Sequence, residues 1–338
     1  MKRDTSKEFY FQWHFLNSCN LRCKHCYQEN YQFSDMDYPK LMMIADEIIN
    51  ALTKWGMYGR ISLTGGEPFL SNHLYDLIEY LNKSDKIVSI NILTNGTLIT
   101  DEDVLRLKKY EKLHQIQISL DGGNEVVHDS VRGEGSFKKA IEGIRKLKAA
   151  NIEVALMYTL QKSNINNYNE YIELAISENV DAITVERVTP CGQCVDEDII
   201  PADEIKRIYT DITKRANEMS SKPVIRRCRP LWINTICDNT RKDCNIGGFC
   251  PVGFTALAIL HDGTVLPCRR LEIPLGNILT DGLFKIWYTS DVLWKIRDKN
   301  NLKGKCHGCE HLPFCGGCRA IAYAATGDFL EEDPQCWK

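Results

Sequence analysis

Between residues 10 and 200 the chain alternates a short apolar run with a longer amphipathic one, six times over, and few folds accept that order. The runs FQWHFLN, RISLTG, VSINILTNG, QIQISLDG, VALMYTL and AITVERV have strand length. Between them, YPKLMMIADEIINALTKWG, NHLYDLIEYLNKS, DEDVLRLKKY, FKKAIEGIRKLKAAN and NYNEYIELAISENV repeat apolar residues at helical spacing. Asn72, Ser136 and Asn167 stand where N-caps belong. Strands separated by crossover helices pair in parallel, so the expected class is α/β with a parallel sheet. The periodicity leaves open whether that sheet closes. Ala202–Met219 reads as one more helix, after which the alternation stops and Cys, Gly and Pro become frequent. ALAILHDGTVLPC reads as a hairpin turning at Asp262-Gly263, and LFKIWYTSDVLWKIRD as one short helix. The expected organisation is a tail (1–9), a large domain (10–220), a linker (221–239) and a small cysteine-rich domain (240–338).

Fifteen cysteines in 338 residues are the abnormal part of the composition. The hydrophobic fraction of 43% and charged fraction of 26% are those of an ordinary globular chain. A net charge of −3 gives no field to attract nucleic acid or a membrane surface, and no apolar run is long enough to span a bilayer. The start, MKRDTSKEFYFQWHF, lacks the apolar core of a signal peptide, so the expected location is the cytoplasm. In a reducing compartment clustered cysteines bind metal more often than they form disulfides.

Cys19, Cys23 and Cys26 form C-x3-C-x2-C directly after the first strand, where parallel strand–helix folds build their sites. Three thiolates can hold three irons of a 4Fe–4S cube and leave the fourth iron to a non-protein ligand. The competing reading is a zinc knuckle completed by His14 or His25, although the spacing is not that of common zinc fingers. The spacing, with aromatic Tyr27 after the last cysteine, resembles the signature of the radical S-adenosylmethionine superfamily. The resemblance implies an open, partial six-stranded (β/α)6 TIM-like barrel over residues 10–200. It also implies S-adenosylmethionine on the open iron, reductive cleavage to a 5′-deoxyadenosyl radical, and hydrogen abstraction from a substrate. Thr64-Gly65-Gly66-Glu67-Pro68 resembles the family's GGEP motif, which holds the cofactor's amino group, and Thr94-Asn95-Gly96 a second loop of that family. By the same resemblance Tyr27, Asn95, Ser119 and Arg132 are further cofactor residues, with Ser119 and Arg132 directed at its ribose or carboxylate; for Arg132 the alternative is a surface salt bridge.

Eight of the later cysteines are ordered as C-x5-C, a lone Cys268, C-x2-C-x5-C-x2-C and a last Cys336. Eight thiolates suit two fully ligated cubes, or two zinc ribbons. Their order resembles the SPASM domain. That resemblance implies one auxiliary cluster on Cys244, Cys250, Cys268 and Cys318, and a second on Cys306, Cys309, Cys315 and Cys336, three 4Fe–4S clusters in all. Gly316-Gly317 leaves two residues between the last pair of the block where the family usually has three. Cys191, Cys194, Cys228 and Cys237 are left over and read as inert thiols, with a redox pair at Cys191-Cys194 as the sharper alternative. Met42, Met43 and the tryptophans read as core.

The expected activity is oxidative maturation of a ribosomally made peptide, forming a thioether, carbon–carbon or related bond. The alternative is tailoring of a small molecule, such as decarboxylation of a haem precursor. A sulfatase-activating enzyme comes last, because Arg269 and Arg270 follow Cys268 where that group carries an acid. The expected partners are an electron donor such as a flavodoxin or ferredoxin and, because Cys19 comes so early, a separate leader-binding protein. Asp121, Glu186, Arg187, Arg269 and Arg270 are candidate polar groups near the chemistry, and Arg269 or Arg270 is expected to meet an anionic group of the substrate.

Overall fold

A computed structural model describes residues 7–28, 31, 36–194, 198–227, 229–235 and 250–338. Cys228, Cys237 and Cys244 lie outside the described residues. The six expected strands are β1 (Glu8–Leu16), β2 (Tyr58–Gly65), β3 (Ile87–Thr94), β4 (Leu113–Ser119), β5 (Val154–Leu160) and β6 (Ala182–Arg187), paired in parallel in that order. Four more join the same sheet. A short β7 (Val224–Arg226), inside the expected linker, pairs in parallel with β6. On the other side, β8 (Ala256–Ile259) pairs in parallel with β1, and β9 (Thr264–Leu266) and β10 (Gly276–Asn277) follow it antiparallel. Among the described residues the sheet therefore has ten strands, is not closed into a barrel, and runs from the expected large domain into the small one.

Alternation along the strands decides which face is hollow. On β1, Phe9, Phe11, Trp13 and Phe15 are buried against the helix layer, while Tyr10 and Gln12 line the interior. The same period puts Ile61 and Leu63, Ile90 and Ile92, and Ile116 and Ile118 on the packed face. It puts Thr64, Gln117, Ser119, Thr159 and Glu186 on the interior one. A parallel sheet buried on both faces reads as continuous apolar runs; the polar half of these strands is the mark of a cavity.

The helices are α1 (Tyr38–Trp55), α2 (Leu74–Lys83), α3 (Asp101–Leu107), α4 (Glu125–Arg132), α5 (Ser136–Ala149), α6 (Tyr168–Ser177), α7 (Ala202–Glu218), α8 (Leu283–Thr289), α9 (Asp291–Arg297) and α10 (Arg319–Thr326). Short α4 and α10 carry no long apolar stripe and escape the periodicity reading. The expected single helix over 283–298 is two, because Ser290 is extended and its side chain caps α9 at Leu293 N. Of the expected caps, His73 rather than Asn72 precedes α2, and Ser136 is the first residue of α5 rather than its cap. Asn167 does sit at the N-cap of α6, but its side-chain Oδ1 accepts from Gly123 N at 2.5 Å rather than from the helix. Met43 and Trp294 are 55% and 52% exposed, contrary to their reading as core. No helix among the described residues is long and apolar enough to cross a membrane.

Candidate active site

The loop carrying Cys19, Cys23 and Cys26 leaves the C-terminal end of β1, and all three thiols line one cavity of about 280 Å³. Each sulfur has an N–H group near it: Leu21 N at 3.5 Å from Cys19 Sγ, Gln28 N at 3.4 Å from Cys26 Sγ, and Arg132 Nη1 at 3.6 Å from Cys23 Sγ. Burial pushes the Cys19 thiol up to about 11 and raises that of Cys23, so thiolates form here only with a cation to offset the charge. N–H donors at each sulfur fit an iron–sulfur cluster, whose sulfurs accept such bonds. Among the described residues no three Cys, His, Asp or Glu side chains are arranged to hold a single metal ion, as a zinc knuckle requires. His25 has its Nε2 on Asp121 at 2.6 Å, and His14 packs its ring against Tyr27.

The glycines of the second loop are explained by backbone contact. A Cβ on Gly65 would lie 2.1 Å from Leu16 O, and one on Gly66 2.0 Å from Ser18 O. This close approach lets Gly66 N and Glu67 N donate to Leu16 O and Ser18 O at 3.0 and 2.8 Å, which clamps the cysteine loop to β2. Gly65 and Gly66 line the cavity; Glu67 and Pro68 are buried behind it. The Glu67 carboxylate accepts from Thr94 Oγ1 (2.6 Å), Asn95 N (2.8 Å) and Phe69 N (3.2 Å), and burial pushes its pKa up to about 7. Asn95 lines the cavity and donates from Nδ2 to Asn20 Oδ1 at 2.8 Å, a second grip on the cysteine loop.

Ser119 and Arg132 line the cavity as well. Arg132 forms a buried ion pair, Nε to Asp121 Oδ2 at 2.6 Å, rather than a surface salt bridge. Burial opposes the Asp121 charge, but Arg132, His25 and the Thr159 N–H outweigh it and hold the carboxyl well below its usual range. Tyr27 lies under Arg269, whose guanidinium carbon is 4.4 Å from the ring centre and whose Nη2 donates to Tyr27 O at 3.1 Å. Arg269 also pairs with Glu272. Arg270 instead turns toward β6, with contacts of 3.3–3.4 Å to Arg187 O, Thr189 Oγ1 and Glu186 Oε2, and Arg229 pairs with Glu186 at 2.5 Å. Cys268, Arg269 and Arg270 share the cavity with the three loop cysteines. So does Cys191, raised to about 11 by burial, whereas Cys194 does not line it.

Of the remaining cysteines, Cys250 is half-buried, and its thiol is pushed up to about 12, first by desolvation and then by Cys268 and Cys318. Cys336 is raised by burial and, more weakly, by Asp333, Cys306 and Cys315. These thiols fall into two neighbourhoods, 250/268/318 and 306/315/336. Gly317 N lies 3.3 Å from Cys315 Sγ, Arg319 Nη2 3.7 Å from Cys306 Sγ, and Asn234 Nδ2 3.7 Å from Cys336 Sγ. Both neighbourhoods are tied to the core through β6. Arg187 donates to both oxygens of buried Asp333 (3.0 and 2.8 Å), whose Oδ2 also accepts from Cys318 N. Sequence reasoning named Arg187 only as a polar group near the site and missed Asp333, 146 positions away.

Comparison with known proteins agrees with this geometry. The sequence model of the Radical SAM superfamily matches residues 13–175, and that of SPASM, an iron–sulfur cluster-binding domain, residues 250–310. The AdoMet-dependent heme synthase of Methanosarcina barkeri is 31% identical over 96% of this chain and 95% of its own length. The mycofactocin maturase MftC of Mycolicibacterium smegmatis is 25% identical over 96% of this chain and 81% of its own. Among solved structures, SuiB of Streptococcus suis bound to the precursor peptide SuiA superposes with a TM-score of 0.79 at 18% identity, covering 98% of this chain and 76% of SuiB. AdoMet-bound anSMEcpe superposes with a TM-score of 0.77 at 19% identity, covering 97% and 90%. With the family come the cofactors: S-adenosylmethionine, a 4Fe–4S cluster to cleave it, and further iron–sulfur clusters in the SPASM domain. The chain belongs to the radical S-adenosylmethionine superfamily, in the branch that carries a C-terminal SPASM domain.

Proposed function

We propose that this enzyme oxidises an anionic substrate held between a catalytic cluster on Cys19, Cys23 and Cys26 and a first auxiliary cluster on Cys250, Cys268 and Cys318 with Cys244. Cys306, Cys309, Cys315 and Cys336 hold a second auxiliary cluster. The observation that carries the reading is the single cavity with the loop cysteines on one wall and Cys268, Arg269 and Arg270 on another. When bound, the cluster and S-adenosylmethionine supply the radical that takes a hydrogen atom from the substrate. The chain supplies the rest. Gly65, Gly66, Asn95, Ser119 and Arg132 bind the cofactor within the cavity, and Glu67 with Pro68 shapes the loop from behind. Tyr27 and Arg269 brace the cysteine loop. Arg270 and Arg229 line the cavity and offer a positive wall for an anionic group. Cys250, Cys268 and Cys318 would hold the first auxiliary cluster beside the substrate, where it would supply an acceptor for the electron that oxidation releases.

Two substrates are worth testing first. Identity of 31% over nearly the full length of a heme synthase favours a haem precursor, whose carboxylate side chains suit the arginine wall. The matches to MftC and to SkfB of Bacillus subtilis, a sporulation killing factor maturation protein 29% identical over 88% of this chain, favour a ribosomal peptide, with a separate leader-binding protein as partner. A flavodoxin or ferredoxin supplies the electron, and the reducing cytoplasm keeps the fifteen thiols available to iron.

The test is anaerobic reconstitution with S-adenosylmethionine, a reductant and either a haem-precursor porphyrin or a candidate peptide. About twelve irons per chain are expected, three cubes of four. The substrate is expected to yield 5′-deoxyadenosine in step with product. Cys19, Cys23 and Cys26 replaced together by Ala are expected to keep about eight irons and lose all cofactor cleavage. Cleavage surviving in that variant, or stoichiometric zinc in place of auxiliary iron, overturns the assignment.

A further inference from the structure

Asp121 has no exposed surface and does not line the cavity, yet two groups that do line it end on one of its oxygens. Oδ2 accepts from His25 Nε2 and from Arg132 Nε, each at 2.6 Å. His25 sits inside the cysteine loop, between Cys23 and Cys26. Arg132 ends α4 and reaches Cys23 Sγ with its Nη1. The other side of Asp121 is fixed. Its Oδ1 accepts from Thr159 N at 2.7 Å, its backbone N–H donates to His128 Nδ1 at 3.2 Å, and its carbonyl accepts from Asn164 Nδ2 at 3.1 Å. A carboxylate so anchored to β5 and α4 does not move to follow its partners; they are held to it. Two donors on one oxygen are also coupled to each other, because a shift of either changes the bond of the other.

We propose that Asp121 is a positioning residue that joins the cysteine loop and the cavity face of Arg132 into one unit, so that cofactor affinity depends on a carboxylate lying outside the cavity. The proposal rests on the catalytic cluster being held by Cys19, Cys23 and Cys26, and says nothing of the substrate. Its physical content is pre-organisation. Without the carboxylate, buried Arg132 loses its carboxylate partner, and its fork is no longer aimed along the loop.

The test is Asp121→Asn in the full chain, reconstituted anaerobically. The amide keeps the shape and an acceptor for Thr159 but removes the charge. Iron content is measured, together with the Kd for S-adenosylmethionine, read from the change it causes in the electron paramagnetic resonance spectrum of the reduced protein. With iron retained, the Kd is expected to rise about ten- to hundred-fold, the range for groups that orient a site from behind. Arg132→Lys, which keeps the charge but not the fork, is expected to raise it similarly, and the double variant no further than the larger single effect. Loss of only the first cluster's share of iron supports the same role through the His25 tether. A wild-type Kd in Asp121→Asn, or additive losses in the double variant, overturns the proposal. So does loss of all iron with a collapsed Tm, which makes Asp121 a scaffold residue. The triple cysteine variant tests the cluster reading separately, so the two can fail independently.

Discussion

At Gly66 a methyl group would have to occupy the space of a carbonyl: its carbon would lie 2.0 Å from Ser18 O and 2.4 Å from Ser18 C. Gly66→Ala is therefore expected to push the end of β2 off the cysteine loop and weaken the bond from Glu67 N to Ser18 O. The expected cost is about 1–3 kcal/mol of stability, as for other overpacked sites, with a matching drop in iron at the first cluster. Chemical unfolding and iron analysis check both. The motif was legible in the sequence, but the reason for its glycines was not. The family resemblance ties them to the cofactor; their nearest neighbours are main-chain atoms some 50 positions earlier. Glu67 teaches the same lesson, since two of its three donors come from Thr94 and Asn95 on another strand's loop. The cysteines were legible because their chemistry is local: three thiols within eight residues meet in space whatever the rest of the chain does.

Among the elements, the six strand–helix units were read correctly because each carries its own period. The polar alternation on β1 through β6, which marks the hollow face, was equally present in the sequence and was overlooked. The loop after β6 was not legible at all. Its Cys191 and Cys194 drew attention as a thiol pair, but the structural work falls to the residues between them. Gly192 has φ of +64°, a Cβ there would sit 2.4 Å from Cys26 O, and Gln193 N donates to that oxygen at 2.7 Å. This loop is a further clamp on the cysteine loop, beside those that follow β2 and β3. Gly192→Ala is expected to lower iron at the first cluster while sparing the auxiliary clusters, about eight irons of the twelve. Iron quantification with spectra taken with and without S-adenosylmethionine tells the two populations apart.

Across the whole molecule the cysteine-rich part is no appendage. β8 extends the core sheet beyond β1, and Arg187 on β6 holds Asp333 near the C-terminus. Breaking a buried ion pair leaves a charge without compensation, at about 3–5 kcal/mol. Arg187→Gln is expected to cost that much and, since Asp333 also holds Cys318 N, to release auxiliary iron from both neighbourhoods before the catalytic cluster is touched. A lower unfolding midpoint with selective loss of auxiliary iron is the result to look for; unchanged iron counts against it. None of this was legible, because a bond across 146 positions leaves no local pattern.

The pairing of β1 with β8 sets a timetable for synthesis. Tyr10 lies opposite Ala256, so β1 leaves the ribosome and waits for a partner made 246 residues later. At roughly 5–20 residues per second that wait is roughly 12–50 seconds. Throughout it one edge of β1 is unpaired, and the three cysteines that follow it hang from a strand held on one side only. An open strand edge invites pairing with a neighbouring chain, and open thiols invite oxidation. The order of the genetic message therefore leaves the newborn chain exposed at the loop its chemistry depends on until β8 arrives to cover β1.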